Sequence, residues 1–391
     1  MKIALVAGIF FPHPGGAQVQ IHNLANKLSE KNIEVECYVF DKSNLNNNKY
    51  KLILLNKLIL SFVFLLKYYF NLNLYFVLKI YLNKIIKKKE YDVWHFNFIN
   101  YKSLILIDCL KDLKQKIIVT FQGVDIQLNK EINYGYRLDK KYEKYLKSTL
   151  KKIDKFSCLS NTIKTDLLSL NVPLEKICII PNAVQIEKFQ KLKINRVKND
   201  KINLITVARF SEKKKGFDLL PELVEKLLEL KLDFHWNIIG KNTKKLFEKS
   251  IMKKNSEKFT ITDDLINFNE TYLPSSNLIN KYMCSDIYLN LSRIESFGIT
   301  FVEALASGIP VVSFDTKGVN EIIKNQYNGY IIDGKNLTSI SKKIVEIAHD
   351  RSLIKILEVG IVNSSKNYDL NLVTNKFLNL YKTLIKNKLY F

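Results

Sequence analysis

The sequence predicts an α/β protein with parallel sheets covered by helices, and three observations carry that expectation. Short apolar runs alternate with amphipathic stretches along nearly the whole chain, as in strand–helix–strand units rather than hairpins. The apolar runs are continuous, as in "KIALVAGIFF" and "KIIVTF", so the strands are expected to be buried on both faces. The alternation breaks once, in a polar and basic stretch from Val184 to Lys201, and then restarts. A chain of 391 residues is too long for one core, since single cores stop growing at ~250–300 residues. Two similar halves are therefore expected, with Val184–Lys201 as the linker.

The elements read in order. "KIALVAGIFF" is the first strand, and "AQVQIHNLANKLSEK" follows with helical spacing, bringing Val19, His22, Leu24 and Leu28 near one face. Strands follow at "IEVECYVF", "YDVWHFNF", "KIIVTF", "DKFSCLS" and "KICIIPNAV". Past the linker, "KINLITVARF" reads as a strand, "FDLLPELVEKLLEL" as a helix, and "DFHWNIIG", "DIYLNLS" and "IPVVSF" as strands. The last helical stretch, "LNLVTNKFLNLYKTLIKN", fits either half by its residues alone. Residues 51–90 stand apart, because Lys57, Lys67 and Lys79 interrupt their apolar run. A spanning helix, which needs ~18 or more apolar residues, is not expected. Aromatics, leucines and lysines in this mixture suit either two core-packed helices or a pair lying on an anionic membrane surface.

Bulk composition excludes several classes. The formal charge is +23, with lysine dominant and only five arginines. No nucleic-acid module accompanies that charge, so compositional drift with a membrane-surface preference explains it better than nucleic acid. Five scattered cysteines without a C-x-x-C pair argue against a disulfide framework or zinc site. The N-terminus lacks a small-residue cleavage site and reads as a buried strand rather than a signal peptide, which points to the cytoplasm. There is no G-x-G-x-x-G, P-loop, G-x-S-x-G or Asp-x-Asp at a strand end, and the histidines at 13, 22, 95, 235 and 349 are dispersed. Neither metal nor cofactor is expected, and His22 and His235 read as structural.

Three constellations carry chemistry. In "RIESFGITFVEALASGIPVV", Ser296 is the expected N-cap of a helix from about Phe297 to Ser307, stopped by Gly308. Almost every residue of that helix is apolar and Glu303 is its one charge, so it is buried, and a buried carboxylate needs a partner or a polar cleft. Glu295 precedes the helix, close to the amides of Phe297, Gly298 and Ile299. A carboxylate repels bound phosphate, so both glutamates are expected to hold hydroxyls; the bland alternative is a cap plus a core Glu–Lys pair. In "VARFSEKKKGFDLL", Arg209 ends a strand ahead of Lys213, Lys214, Lys215 and Gly216. An arginine fork there can hold two phosphate oxygens, although a solvated basic loop is the ordinary fate of such a run. In "FFPHPGGAQVQIHNL", Gly15 and Gly16 open the first helix and allow close backbone approach to a ligand.

Together these stretches resemble the retaining GT-B glycosyltransferases of family 4. "ESFGITFVE", Glu295 to Glu303, is similar to that family's E-x7-E signature, "RFSEKKKG" to its Arg and Lys pair, and "GG", "TFQGVD" and "PNAV" match in order. The resemblance implies two facing Rossmann-like domains, 1–190 for the acceptor and 200–369 for a nucleotide-sugar donor, with the terminal helix 370–391 returning to the first. It implies that Arg209 and Lys215, or Lys214 in its place, bind the donor diphosphate. Glu303 would hold the ribose, Glu295 the donor sugar, and the Phe297–Gly298–Ile299 backbone would line the pocket. Gly15 and Gly16 would face the phosphates and acceptor. The donor implied is a UDP-sugar first and a GDP-sugar second; base recognition is expected near Phe268 and Asn269. The acceptor implied is a glycan, lipid-linked or destined for surface polysaccharide or lipopolysaccharide. Arg209, Lys215 and Glu295 would carry catalysis, without metal. One departure is Gln122-Gly123-Val124-Asp125, where the family often has His-Gly-x-Asp; Gln122 and Asp125 can bind the sugar, but glutamine takes no proton. A nucleotide-sugar epimerase of the same architecture and a non-catalytic polyanion-binding protein are the competing readings.

Overall fold

The computed structural model describes the chain apart from residues 12–14, 44, 46, 193–200, 264–266, 268 and 387–391. Contacts divide it into two compact units: Met1–Pro181 with Phe268–Tyr272 and Leu370–Phe391, and Asn182–Asn267 with Leu273–Asp369.

The first unit holds a seven-stranded parallel sheet of order β3-β2-β1-β4-β5-β6-β7. Its strands are β1 (Lys2–Ala7), β2 (Glu34–Val39), β3 (Lys51–Leu54), β4 (Val93–Asn97), β5 (Ile117–Phe121), β6 (Lys155–Cys158) and β7 (Ile177–Ile179). Its helices are α1 (Gly16–Glu30), α2 (Lys57–Phe70), α3 (Tyr75–Lys89), α4 (Tyr101–Asp112), α5 (Lys140–Leu150) and α6 (Asn161–Ser169). β4 and β5 are buried at every position, as continuous apolar runs in a covered parallel sheet should be. β3 was not anticipated. Its four residues, KLIL, run through Leu55 into the apolar stretch of α2, and the break is marked by the cap Asn56, which accepts from the amides of Leu58 and Ile59.

The second unit holds a six-stranded parallel sheet of order β10-β9-β8-β11-β12-β13. The strands are β8 (Ile202–Val207), β9 (Phe234–Ile239), β10 (Phe259–Thr262), β11 (Ile287–Asn290), β12 (Val311–Phe314) and β13 (Gly329–Ile332). The helices are α7 (Ile186–Lys191), α8 (Leu220–Glu229), α9 (Ser250–Lys254), α10 (Ser276–Met283), α11 (Ile299–Ala306), α12 (Leu337–His349), α13 (Ser352–Lys355) and α14 (Glu358–Lys366). α7 lies inside the stretch expected to be linker.

The last described helix, α15 (Leu370–Lys386), belongs to the first unit. Tyr381 Oη lies 2.7 Å from His95 Nδ1 on β4, and His95 Nε2 lies 2.7 Å from Thr120 Oγ1 on β5. Burial holds the His95 imidazole neutral by lowering its pKa to about 3. Lys116 Nζ donates to the carbonyls of Leu384 and Ile385 at 2.7 and 2.9 Å, meeting the negative end of α15.

Candidate functional site

In each sheet the chain turns back at one point. The first unit grows outward from β1 toward β2 on one side and β4 on the other, and the second grows from β8 toward β9 and β11. Loops leaving adjacent strands at such a switch diverge and leave a crevice at the carboxyl ends, where open α/β sheets bind ligands. In the second unit the two motif-bearing loops leave β8 and β11, so the fold brings Arg209–Gly216 and Arg293–Gly298 to one place.

These loops are tied closely. Gly216, with φ of 69°, passes so near β11 that a Cβ there would lie 2.1 Å from the Leu291 carbonyl oxygen. Gly318, φ 91°, packs against the Glu295 carbonyl in the same way, at 2.4 Å. Neither position admits a side chain. Arg293 then locks the pair: Nη1 donates to Asp218 Oδ1 at 2.6 Å and Nη2 to Oδ2 at 2.8 Å, while Nη1 also reaches the Lys213 carbonyl at 2.7 Å. The Arg293 amide donates to the Lys214 carbonyl at 2.9 Å. The sequence motifs missed Arg293 and Asp218. The available signal was the scarcity of arginine, with one of five placed two residues before Glu295.

The clamp sets the charges. Lys215 Nζ lies 2.6 Å from Glu295 Oε1, and the carboxylate is 5% exposed. Burial opposes ionisation of Glu295, but Lys215 and Lys214 outweigh it and hold the carboxyl below its usual range. Partial burial lowers the Lys214 ammonium to about 7, with Lys215 and Arg209 pushing the same way and Glu295 opposing. Arg209 is exposed at the end of β8. The expected cations and Glu295 thus come together within the second unit.

Glu303 sits in the interior of α11, buried, and accepts a hydrogen bond from Tyr282 Oη on α10 at 2.9 Å. It is paired to a tyrosine, not the lysine of the bland alternative. A phenol brings no positive charge, so burial raises the Glu303 carboxyl to about 7 despite that hydrogen bond. The helix itself corrects the expectation. α11 starts at Ile299, after Gly298 in the left-handed region at φ 83°, and no side chain caps it. Ser296 is not the N-cap, because residues 296–298 form a turn that buries Phe297, edge-on to Tyr368 with centroids 5.6 Å apart.

In the first unit, Gln122 and Asp125 follow β5 and differ in situation. Gln122 Nε2 donates to Asn97 Oδ1 at 2.8 Å. Asp125 is fully buried and accepts from the amides of Gln122, Gly123 and Ile99 at 2.8–3.2 Å. Its carboxylate shapes the loop from within and presents no free face to a ligand. Burial raises it to about 7 against those bonds. Gly15 precedes α1 and Gly16 is its first residue. Phe268 lies outside the described residues, and the carbonyl of Asn269 accepts from Asn47 Nδ2 at 3.1 Å within the first unit.

Comparison with known proteins then decides the family. The model of Glycosyltransferase Family 4 matches residues 14–188, and that of Glycosyl transferases group 1 matches residues 187–359. The chain belongs to the group 1, family 4 glycosyltransferases. Among curated relatives, an uncharacterized glycosyltransferase of Methanocaldococcus jannaschii is 26% identical, the match covering 94% of each protein. An uncharacterized 41.2 kDa protein from the cps region of Klebsiella pneumoniae is 30% identical over 52% of this chain and about half, 51%, of its own length. Among solved structures, a glycosyltransferase from Rickettsia africae superposes with a TM-score of 0.75 over 99% of both chains at 24% identity. The Anabaena protein HepE, solved with UDP and glucose, gives 0.74 over 98% of this chain and all of its own at 14% identity. The two parallel-sheet units of this glycosyltransferase are those of the GT-B fold.

Proposed function

We propose that this glycosyltransferase transfers a hexose from a nucleoside-diphosphate sugar, a UDP-sugar before a GDP-sugar, to a lipid-linked or surface-polysaccharide glycan, retaining anomeric configuration and needing no metal. The observation that carries the reading is the Lys215–Glu295 pair beside Lys214 and Arg209 at the β8/β11 switch point. In the free site the acid and the base neutralise one another. An arriving donor exchanges that bond for two: the diphosphate takes Lys215, and a sugar hydroxyl donates to Glu295. Lys214, partly discharged when free, regains its proton beside phosphate. As the glycosidic bond breaks, charge grows on the departing diphosphate, where Arg209, the two lysines and the amides of Phe297, Gly298 and Ile299 can stabilise it. Glu303 takes the ribose hydroxyls. In the first unit, Gly15, Gly16 and Gln122 serve the acceptor, with Asp125 fixing the Gln122 loop. HepE, solved with UDP and glucose, supports uridine as the first base to test. Membership of a transferase family favours transfer over epimerisation and over simple polyanion binding.

The test is thermal stabilisation by a panel of UDP- and GDP-sugars. A donor at a hundred times its Kd adds about 2.7 kcal/mol, and Glu295→Ala should lose that gain. A panel in which nothing stabilises, or which stabilises Glu295→Ala equally, overturns the reading. Turnover unchanged by EDTA is expected, and a strict metal requirement contradicts the proposed charge stabilisation.

A further inference from the structure

The pair α2–α3 is apolar on two sides. The inward face of α2 buries Leu60 and Val63, and that of α3 buries Tyr75, Leu78 and Leu82. On α2, Leu58, Phe62, Leu65 and Tyr69 recur at helical spacing on the opposite face, and all four are exposed, Leu58 at 82%. On α3, Phe76 and Ile80 are exposed at 59% and 58%, and the same stripe continues into exposed Lys84, Lys87 and Lys88. Phe70 and Leu72, in and beside the turn between the helices, are exposed as well. Single exposed leucines are ordinary, but a contiguous run of large apolar side chains marks an interaction surface.

Charge identifies what covers it. From Lys51 to Lys89 the chain carries eight lysines and no acidic residue. Lys57, Lys79 and Lys89 are paired with Asp41, Asp112 and Glu36. On α5, Lys141 Nζ donates to the Tyr68 carbonyl at 3.0 Å and lies 4.8 Å from the centre of the Tyr68 ring. Exposed Lys140 and Lys144 extend the basic rim on that side. Two copies of this face set against one another would bring like charges together. A protein partner would need a matching acidic rim, whereas anionic headgroups above acyl chains supply both components at once. Neither helix crosses a bilayer: no helix among the described residues is long and apolar enough. We propose that the outward stripe of α2 and α3 is a docking face for an anionic lipid surface. Leu58, Phe62, Leu65, Tyr69, Phe76 and Ile80 enter the boundary between headgroups and acyl chains, and Lys84, Lys87 and Lys88 meet the anionic headgroups. The proposal rests on this surface alone and stands apart from the sugar-transfer reading.

The test is co-sedimentation of the full chain with phosphatidylcholine vesicles with and without phosphatidylglycerol. Light scattering of the protein alone and a melting curve for each variant accompany it. Binding should require phosphatidylglycerol and weaken with salt. Lys84→Gln with Lys87→Gln and Lys88→Gln should lower the partition coefficient roughly a hundredfold, about fivefold per lysine. Lys89 is left in place because it neutralises the buried Glu36. Phe62→Asp with Phe76→Asp should abolish binding with the melting point changed little, since both side chains are more than half exposed. Absence of binding at low salt overturns the proposal, as does undiminished binding by the Asp variant. A dimer in light scattering that the Asp variant converts to a monomer assigns the face to a second copy instead. Donor stabilisation is unaffected by any of these outcomes, so the two readings fail separately.

Discussion

Replacing Glu303 by glutamine should make the free protein more stable at alkaline pH and a poorer binder of its donor. The unfolded carboxyl ionises near 4.5 and the folded one near 7. Between those values the folded state keeps a proton that the unfolded state has lost. Stability therefore falls as pH rises through that window and levels off above it. At ~1.4 kcal/mol per pH unit, the full cost of ionising Glu303 in place is about 3 kcal/mol. Glutamine keeps the shape and the acceptor for Tyr282 Oη but has nothing to ionise. The expected result is a gain for Glu303→Gln of under about 1 kcal/mol at pH 5 and of about 3 kcal/mol at pH 8.5. For a unit of this size that is about 6–12 °C in Tm. Scanning calorimetry of both proteins at both pH values measures it. Asp125, also raised to about 7 by burial, contributes equally to both proteins and cancels. A gap between the proteins that does not change with pH, or a variant destabilised at both values, refutes the claim that a desolvated carboxylate is held at a cost in the free site. Weakened stabilisation by the donor in the same variant would tie that cost to ribose binding.

Other substitutions probe the rest of the site. Arg209→Ala removes an exposed side chain, so stability should move by under about 0.5 kcal/mol while kcat falls roughly 10²–10³-fold; normal turnover counts against its diphosphate role. Arg293→Lys keeps the charge but loses the two-point grip on Asp218. Steady-state kinetics should show a donor KM raised about tenfold, and an unchanged KM would show that the clamp does not position the Lys214–Lys215 loop. Gly318→Ala places a methyl 2.4 Å from the Glu295 carbonyl oxygen at a φ of 91°. It should cost more than about 1 kcal/mol in urea unfolding and lower activity by displacing Glu295.

What the sequence disclosed depended on how local each signal was. Continuous apolar runs such as IIVTF on β5 declare themselves, because burial on both faces leaves no polar position to confuse them. The four-residue strands FTIT of β10 and GYII of β13 are too short for periodicity and take their identity from the neighbours they pair with. Glu295, Lys214 and Lys215 stand within recognisable spacing, and their convergence could be anticipated. Their electrostatics could not: the low range of Glu295 depends on a partner 80 positions away, and the high one of Glu303 on burial that the Tyr282 hydrogen bond only partly offsets. Asp218 and Arg293, 75 residues apart, join only when β8 and β11 become neighbours. Ser296 looked like a cap, and the left-handed turn at Gly298 overrode it.

The placement of α15 governs the order in which the molecule can be completed. β4 leaves the ribosome nearly three hundred residues ahead of the tyrosine that satisfies His95, and every strand of the second sheet is made in between. A nascent first unit must therefore wait, its histidine and the apolar groove around it unfilled, while a whole neighbouring unit is synthesised. Chaperone dependence during translation, and sensitivity to premature stop codons after Asp369, are the expected biological costs of closing one unit with a helix made after the whole of the other.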